Sequence, residues 1–294
     1  MKLSIHAGAH STEDARLLKS LLKDAEPLWK SGTAVPGPAA YRTLLKDSFA
    51  QSDAGLSPDT GPDSFWQEVL GERQAGRVVF SNAHFFGSQR HAPDGARLYP
   101  GAARRLLQLQ AMFPEDTPEL FLCLRNPAAF LPAVLQKAPA GRVRALVQDH
   151  NPLQLRWSDL LQEIRTSLPG LPITVWCFED LPFIWEDLLQ ALTGMGSDFA
   201  FSGAADMARA IMSREGGNRL ADYLQEAGAL SAAQKRRVIS TFLDKFAQDD
   251  ALEEELDLPG WTDGLVERLT EVYEADLDVI AALPGVTLIE PGPL

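Results

Sequence analysis

The sequence predicts an α/β fold, in which a parallel sheet has helices on both faces and is followed by a helical C-terminal extension. The first observation is a set of short apolar runs bounded by turn residues, which is typical of buried parallel strands. The second is that helical patterns alternate with these runs, as in βαβ units. The third is that the patterns after Asp198 are helical up to a short final run that could add an edge strand. The predicted strands are Lys2–His6, Arg77–Ser81, Glu119–Leu124 and Ile173–Phe178.

The predicted helices come from apolar residues that recur every three or four positions. In the α/β part they are Thr12–Ala25, Ser64–Gln74, Ala102–Met112, Ala128–Leu135, Ser158–Ser167 and Pro182–Leu192. In the extension they are Ala205–Met212, Asn218–Gln225, Ala232–Phe246 and Asp263–Leu283, with Ser231 as an N-cap and Val286–Ile289 as an added edge strand. We therefore expect an α/β domain over residues 1–198 and a helical extension over 199–294 that packs on it.

Composition restricts the partners. The formal net charge of −13 argues against nucleic acid and anionic membranes, which bind proteins through Lys and Arg. Many carboxylates follow Glu253, and this acidic surface is either simply solvated or a face for a protein partner. Cys123 and Cys177 lie in apolar runs and are expected as buried thiols on neighbouring strands. No apolar run approaches the ~20 residues of a membrane span, so a cytoplasmic protein is expected.

The N-terminal segment has the order of a phosphate-binding loop. A β-prone run meets Gly8 and then leads into a helical pattern, whose start would offer backbone N–H groups to an anion. However, the segment has no lysine, and it carries Glu13 and Asp14 where phosphate oxygens would lie. Ser11 and Asp14 are alternatively spaced as a capping box, which would satisfy the helix start internally. Both readings stay open from sequence.

This segment resembles the 5′-phosphosulfate loop of sulfotransferases, in particular the bacterial carbohydrate-type branch. The residues that agree in order and spacing are Ile5, His6, Gly8, His10 and Thr12. The departures are Ser11 for the family's lysine, Glu13 for its glycine, and Asp14 and Ala15 for its hydroxyl residues. Two later segments also resemble the family. They are Phe121–Pro127, which ends in Arg-Asn-Pro and resembles the 3′-phosphate motif, and Val175–Leu181.

The resemblance implies a site for PAPS (3′-phosphoadenosine 5′-phosphosulfate) or its product PAP. Arg125 would then contact the 3′-phosphate, although the family's second ligand, a serine, is Ala133 here. An ion pair between Arg125 and a nearby carboxylate is the structural alternative. The loop residues that would face the phosphosulfate are Gly8, His10, Ser11 and Thr12.

Two histidines would complete the chemistry. His84 follows the second predicted strand and is the candidate base for an acceptor hydroxyl, with a structural role as the alternative. His10 is the candidate to supply the positive charge of the missing lysine. Convergence of several arginines on this cleft would also help, and the candidates are Arg77, Arg90, Arg97, Arg104, Arg105 and Arg125.

Three functional hypotheses follow. The first is a sulfotransferase that moves a sulfuryl group from PAPS to a hydroxyl acceptor such as a carbohydrate. The second is a catalytically inactive protein of the same fold, which binds a partner or ligand through its acidic helices or its old cleft. The third, a metal-dependent hydrolase using His10, Glu13 and Asp14, lacks ligand spacing typical of a metal site, and no metal is expected.

Overall fold

The computed structural model describes residues 1–13, 15–136, 138–139, 141, 143, 151–228, 230–252 and 258–292. Its centre is a six-stranded sheet in the order β2-β3-β1-β6-β7-β8, and every neighbouring pair is parallel. The predicted α/β class is confirmed. The sheet strands are β1 (Lys2–His6), β2 (Thr33–Ala34), β3 (Arg77–Ser81), β6 (Thr117–Leu124), β7 (Ile173–Cys177) and β8 (Val286–Ile289), and a small hairpin contains β4 (Pro93–Asp94) and β5 (Arg97–Leu98).

The helices are numbered here in chain order among the described residues. Those up to the end of the α/β part are α1 (Arg16–Leu22), α2 (Ala25–Lys30), α3 (Pro38–Asp53), α4 (Pro62–Leu70), α5 (Ala102–Met112), α6 (Pro127–Leu135), α7 (Trp157–Ser167) and α8 (Leu181–Thr193). Those that follow are α9 (Asp206–Ala210), α10 (Arg214–Glu226), α11 (Ala232–Phe246), α12 (Asp249–Leu252) and α13 (Asp263–Ala281).

Helices cover both faces of the sheet, because alternate strand residues point to opposite sides. On one face Leu3 and Ile5 of β1 belong to a core built with α3, α4, α5, α6 and α7. On the other, Phe121 and Cys123 of β6 pack with α1, α2 and α8. Three tryptophans fill these cores with no appreciable exposure, as expected for core aromatics; they are Trp157, Trp176 and Trp185.

The C-terminal helices attach to the α/β part in two places. The first is a small apolar cluster of α9, α10 and α11 residues, against which Phe183 of α8 packs. The second is α13, which contacts α6 and α7 and leads into β8 at the sheet edge. Asp276 of α13 is buried and accepts hydrogen bonds from the backbone N–H groups of Trp157 and Ser158 at the start of α7. The predicted N-cap of α11 at Ser231 is confirmed, and Ser231 forms a capping box with Gln234.

Three local predictions differ from the structure. The helix predicted over 12–25 is two helices, α1 and α2. They are separated at Asp24, whose carboxylate accepts hydrogen bonds from the backbone N–H and the hydroxyl of Ser202. Helix α3 was not anticipated. Strand β2 has only two residues and no detectable pattern.

Two further features are the buried cysteines and the acidic outer side of α13. Cys123 and Cys177 are buried thiols on the neighbouring strands β6 and β7, as predicted. Within the described ranges, no helix has both the length and the apolar character needed to cross a bilayer. The outer side of α13 exposes Asp263, Glu267 and Glu271. A protein partner at this acidic surface stays a prediction.

Candidate functional site

Three chain segments meet at the carboxyl ends of the central strands. They are the β1 loop (residues 7–13 and 15), the turn of Asn82–His84 after β3, and Arg125 after β6. Strand β1 lies between β3 and β6, so the chain reverses its direction of travel across the sheet here. Open parallel sheets bind their ligands at such a reversal. The structure therefore brings Gly8, His10, Ser11, Thr12, His84 and Arg125 to one edge of the sheet.

The β1 loop begins by extending the pairing with β6. Ala7 and Ala9 donate backbone hydrogen bonds to Phe121 and Cys123, and Cys123 donates back to Gly8. Gly8 has φ of 101°, and a Cβ there would lie 3.3 Å from Cα of Ala83. Glycine is needed for this conformation and this close approach to the β3 turn. The first amides of the loop are thus bonded to the sheet and are not turned toward a ligand.

Glu13 fills the interior of the loop. Its side chain is 4% exposed, and its Oε1 lies 2.9 Å from Nε2 of His6 in an electrostatic contact that is not aligned as a hydrogen bond. The Thr12 hydroxyl has one proton to share between the other carboxylate oxygen of Glu13 and the carbonyl of Ala9. Burial raises the pKa of Glu13, but the charge of His6 and these hydrogen bonds outweigh burial, and the net shift is downward. Glu13 is therefore a buried carboxylate anion.

His6 holds Glu13 from the strand side. Its Nδ1 lies 2.8 Å from the Ser81 hydroxyl of β3, and its ring stacks on Trp176 at 5.8 Å. His6 is therefore a packed and bonded residue of the interior. Together these contacts place a carboxylate at the position where the resemblance implied a phosphosulfate group, and the residues present do not fit such an anion.

The predicted capping box is wrong. Ser11 has φ of 54° and Ala15 has φ of 60°, so the chain twice enters the left-handed region and the helix begins only at Arg16. The N-cap of α1 is Ala15, which makes no side-chain cap, and the first turn contains no acidic residue. Glu13 thus lies before the helix and not in its first turn. Asp14, its supposed partner in the box, lies outside the described residues.

Arg125 closes the loop from the β6 side. Its Nη1 donates to the carbonyl oxygen of Ser11, and its guanidinium lies over the Phe178 ring at 4.5 Å. The side chain of Gln89 bridges the Ser11 hydroxyl and the carbonyl of Ala133 at 3.3 and 3.1 Å. Ala133 is the position where a serine was expected. Arg125 is therefore at the predicted edge, but the contact described here is with loop backbone.

His10 lies between Tyr99 and His84. The Tyr99 hydroxyl accepts from the backbone N–H of His10 at 3.0 Å and lies 2.9 Å from its Nδ1, while Nε2 lies 3.1 Å from Nδ1 of His84. Burial, followed by the charge of His84, lowers the pKa of His10 to about 4. His10 is consequently neutral near pH 7. The expectation that it replaces the lysine charge is wrong, because the ring is only 2% exposed.

The proton order of this chain follows from its donors. Tyr99 Oη already accepts a hydrogen bond from the backbone N–H of His10. Because the hydroxyl is buried, its own O–H donates to Nδ1 of His10. His10 then carries its proton on Nε2 and donates to Nδ1 of His84. A neutral His84 must hold its own proton on Nε2, on the opposite side of the ring. In this state His84 presents a hydrogen-bond donor and not the predicted base.

Three of the six predicted arginines pair with carboxylates away from the site. Arg77 pairs with Glu119 near the start of β3, Arg97 pairs with Glu163, and Arg104 with Asp53. Sequence reasoning missed Arg42 of α3, whose Nη2 donates to the Ser81 carbonyl at 3.1 Å, and also Tyr99. The signal for Arg42 was available, since Tyr41, Leu45 and Phe49 recur at helical spacing after a proline. No short pattern marks Tyr99.

Among the described residues, no group of three or more His, Cys, Asp or Glu is arranged to hold a metal ion. No protein-family model matches the chain, and neither a curated protein nor a solved structure is significantly similar to it. The sulfotransferase resemblance therefore depends on the motifs alone.

Proposed function

We propose that this chain is a non-catalytic binding protein on a sulfotransferase-like fold, in which the PAPS site is closed. The observation that carries the proposal is the buried Glu13 carboxylate inside the β1 loop, paired with His6. A carboxylate about 4 Å from a phosphate costs up to about 4 kcal/mol at an effective dielectric constant near 20. That is about three orders of magnitude in affinity.

Two further contacts support closure. Arg125, the implied ligand of the 3′-phosphate, donates to the Ser11 carbonyl. The backbone N–H groups of Ala7, Ala9 and His10 are bonded to β6 and Tyr99. A ligand phosphate would have to displace these contacts as well as the carboxylate, because anion loops bind through unpaired N–H groups.

Calorimetric titration with PAP tests the proposal. We expect the wild-type chain at millimolar PAP to show no binding that Arg125→Ala removes. A variant that restores the family residues, Ser11→Lys with Glu13→Gly, should gain binding, and adding Arg125→Ala to it should remove that gain. Micromolar binding to the wild-type chain that Arg125→Ala abolishes would overturn the proposal.

Sulfuryl transfer is the second candidate function. The observation in its favour is that Arg125 and His84 lie at the same edge of the sheet as the β1 loop. Incubation with sulfur-labelled PAPS and a panel of hydroxyl acceptors, including carbohydrates, distinguishes the two. Label transfer that His84→Gln abolishes would favour the enzyme, whereas no transfer above the protein-free rate favours the binding protein.

A further inference from the structure

A second feature at this edge is a cavity of about 380 Å³ between α3, α5 and the turn after β3. Small-molecule sites commonly have volumes of this order. One wall is apolar, and there Phe49 and Phe85 meet edge to face with ring centroids 5.6 Å apart. The residues that line the cavity are Arg42, Leu45, Lys46, Phe49, Asn82, His84, Phe85, Gly87, Ser88 and Arg105.

The charge of the cavity lining is opposite in sign to the net charge of the chain. Among the residues that the structure describes, three cationic side chains and no carboxylate line this cavity, although the whole sequence has a formal net charge of −13. Arg105 is partly neutralised by Asp53, which lies 2.8 Å from its Nη2. Lys46 is exposed at the rim. A pocket with cationic groups on low-dielectric walls concentrates a positive potential, which favours an anion.

Arg42 has donor capacity inside this lining. Its Nη2 donates to the carbonyl of Ser81, while its Nε is a buried atom without a hydrogen-bond partner in the described part of the chain. A guanidinium has five N–H donors and no acceptor. Buried polar atoms without partners are uncommon in proteins, and a bound acceptor is one explanation of such an atom. Arg42 therefore retains donor capacity beside the cavity.

His84 adds a donor of the same kind. With Nε2 of His10 as the donor, Nδ1 of a neutral His84 accepts this hydrogen bond, so the N–H of His84 is on Nε2, away from His10. Tyr99 sets this order through its contact with Nδ1 of His10. The cavity lining thus brings together donors of Arg42, Lys46 and His84 with the polar side chains of Asn82 and Ser88, while Arg105 is held by both carboxylate oxygens of Asp53. A carboxylate, phosphate or sulfate group accepts from such N–H donors.

We propose that this cavity binds a small organic anion, a carboxylate or a phosphate or sulfate monoester. Its charged group lies against Arg42, Lys46 and His84, and its apolar part lies against Phe49 and Phe85. The site is separate from the interior of the β1 loop. The proposal therefore goes beyond the proposed function and does not depend on it.

The test is calorimetric titration of the full chain with phenyl phosphate, phenyl sulfate and phenylacetate, and with benzyl alcohol as the neutral probe. We expect saturable binding of at least one anionic probe and none of benzyl alcohol. The three anions distinguish which charged group the cavity prefers. Absence of saturable binding by all three at millimolar concentration would overturn the proposal.

Reversing the charge of Lys46 at the rim tests whether the anionic probe binds in this cavity. Lys46→Glu should weaken binding of the anionic probe by at least about tenfold, since it replaces an attraction by a repulsion of comparable size. Lys30→Glu is the matched control, because Lys30 is an exposed lysine on α2 outside the cavity lining. Equal affinities of the two variants would place the anion elsewhere and refute the site. Both positions are exposed, so folding is preserved.

A separate measurement tests the hydrogen-bonded pair of His10 and His84. Nitrogen NMR of the imidazole rings should show His84 protonated at Nε2 in the wild-type chain. Tyr99→Phe removes the donor to His10, so it should shift His84 toward the Nδ1-protonated form and weaken anion binding several-fold. An Nδ1-protonated His84 in the wild-type chain would refute its role as a donor.

Titration with PAP separates the two proposals. PAP binding that Lys46→Glu weakens and Arg125→Ala leaves unchanged is binding in the cavity, and it supports this inference without opening the β1 loop. PAP binding that Arg125→Ala abolishes and Lys46→Glu leaves unchanged overturns the proposed function. The phenyl probes still decide the cavity in that case.

Discussion

Lowering the pH from about 7 to about 5 is expected to destabilise this protein through His10. The pKa of His10 is lowered from 6.5 to about 4 in the folded chain, by burial first and by His84 second. Between these two values the unfolded chain binds more protons than the folded chain, so stability falls as the pH falls. A shift of this size corresponds to about 2 kcal/mol of unfolding free energy lost between about pH 7 and about pH 5.

Urea denaturation across this range measures the loss, and the His10→Asn variant isolates it. Asn keeps an acceptor for the Tyr99 hydroxyl but does not titrate. The stability difference between wild type and variant should therefore change by about 2 kcal/mol from pH 7 to pH 5. His91→Asn is the control, since His91 is exposed. The net lowering of the Glu13 pKa takes effect only below its ordinary value of 4.5, outside the window. A pH-independent difference for His10→Asn would refute the buried, neutral histidine.

Three further predictions concern the packing of the C-terminal helices, and urea denaturation measures each of them. Asp276→Ala should lower the unfolding free energy by about 3 kcal/mol, because it leaves the donors at the start of α7 unpaired; exposed Asp278→Ala should change it little. Gly216→Ala should lower it by about 1–3 kcal/mol, since a Cβ there would lie 2.3 Å from that of a phenylalanine at the end of α11. Gly264→Ala, in open space on α13, should be neutral or stabilising and exclude a general helix effect. Ser231→Ala should lower stability by about 1 kcal/mol through loss of the capping box, and an unchanged value would contradict its role.

Strands β1, β3, β6, β7 and β8 were predicted to within about two residues, because buried parallel strands are continuous apolar runs. The helix Ala102–Met112 was also predicted with its observed bounds. Helix α3 was missed although Pro38 stands at its start and its buried residues recur every four positions. Strand β2 could not be found, because two residues carry no periodicity and its pairing depends on β3.

The residues of the site could be predicted from the sequence, but the conformation of the β1 loop could not. Sequence placed Glu13 at a helix start, whereas left-handed conformations at Ser11 and Ala15 turn its carboxylate inward. Neither serine nor alanine favours that region, so tertiary contacts set these angles. The neutral state of His10 depends in the same way on Tyr99, a residue far along the chain that folds back against it. Such contacts between distant segments are not encoded in local spacing.

The two cysteines make the centre of the sheet observable by thiol chemistry. Burial raises the pKa of Cys123 well above its ordinary value and that of Cys177 to about 12, so neither forms the thiolate that reacts with alkylating reagents. Modification at neutral pH therefore requires β6 or β7 to separate from its covering helices. The rate at which a maleimide labels the native chain consequently measures how often the interior of the molecule opens spontaneously.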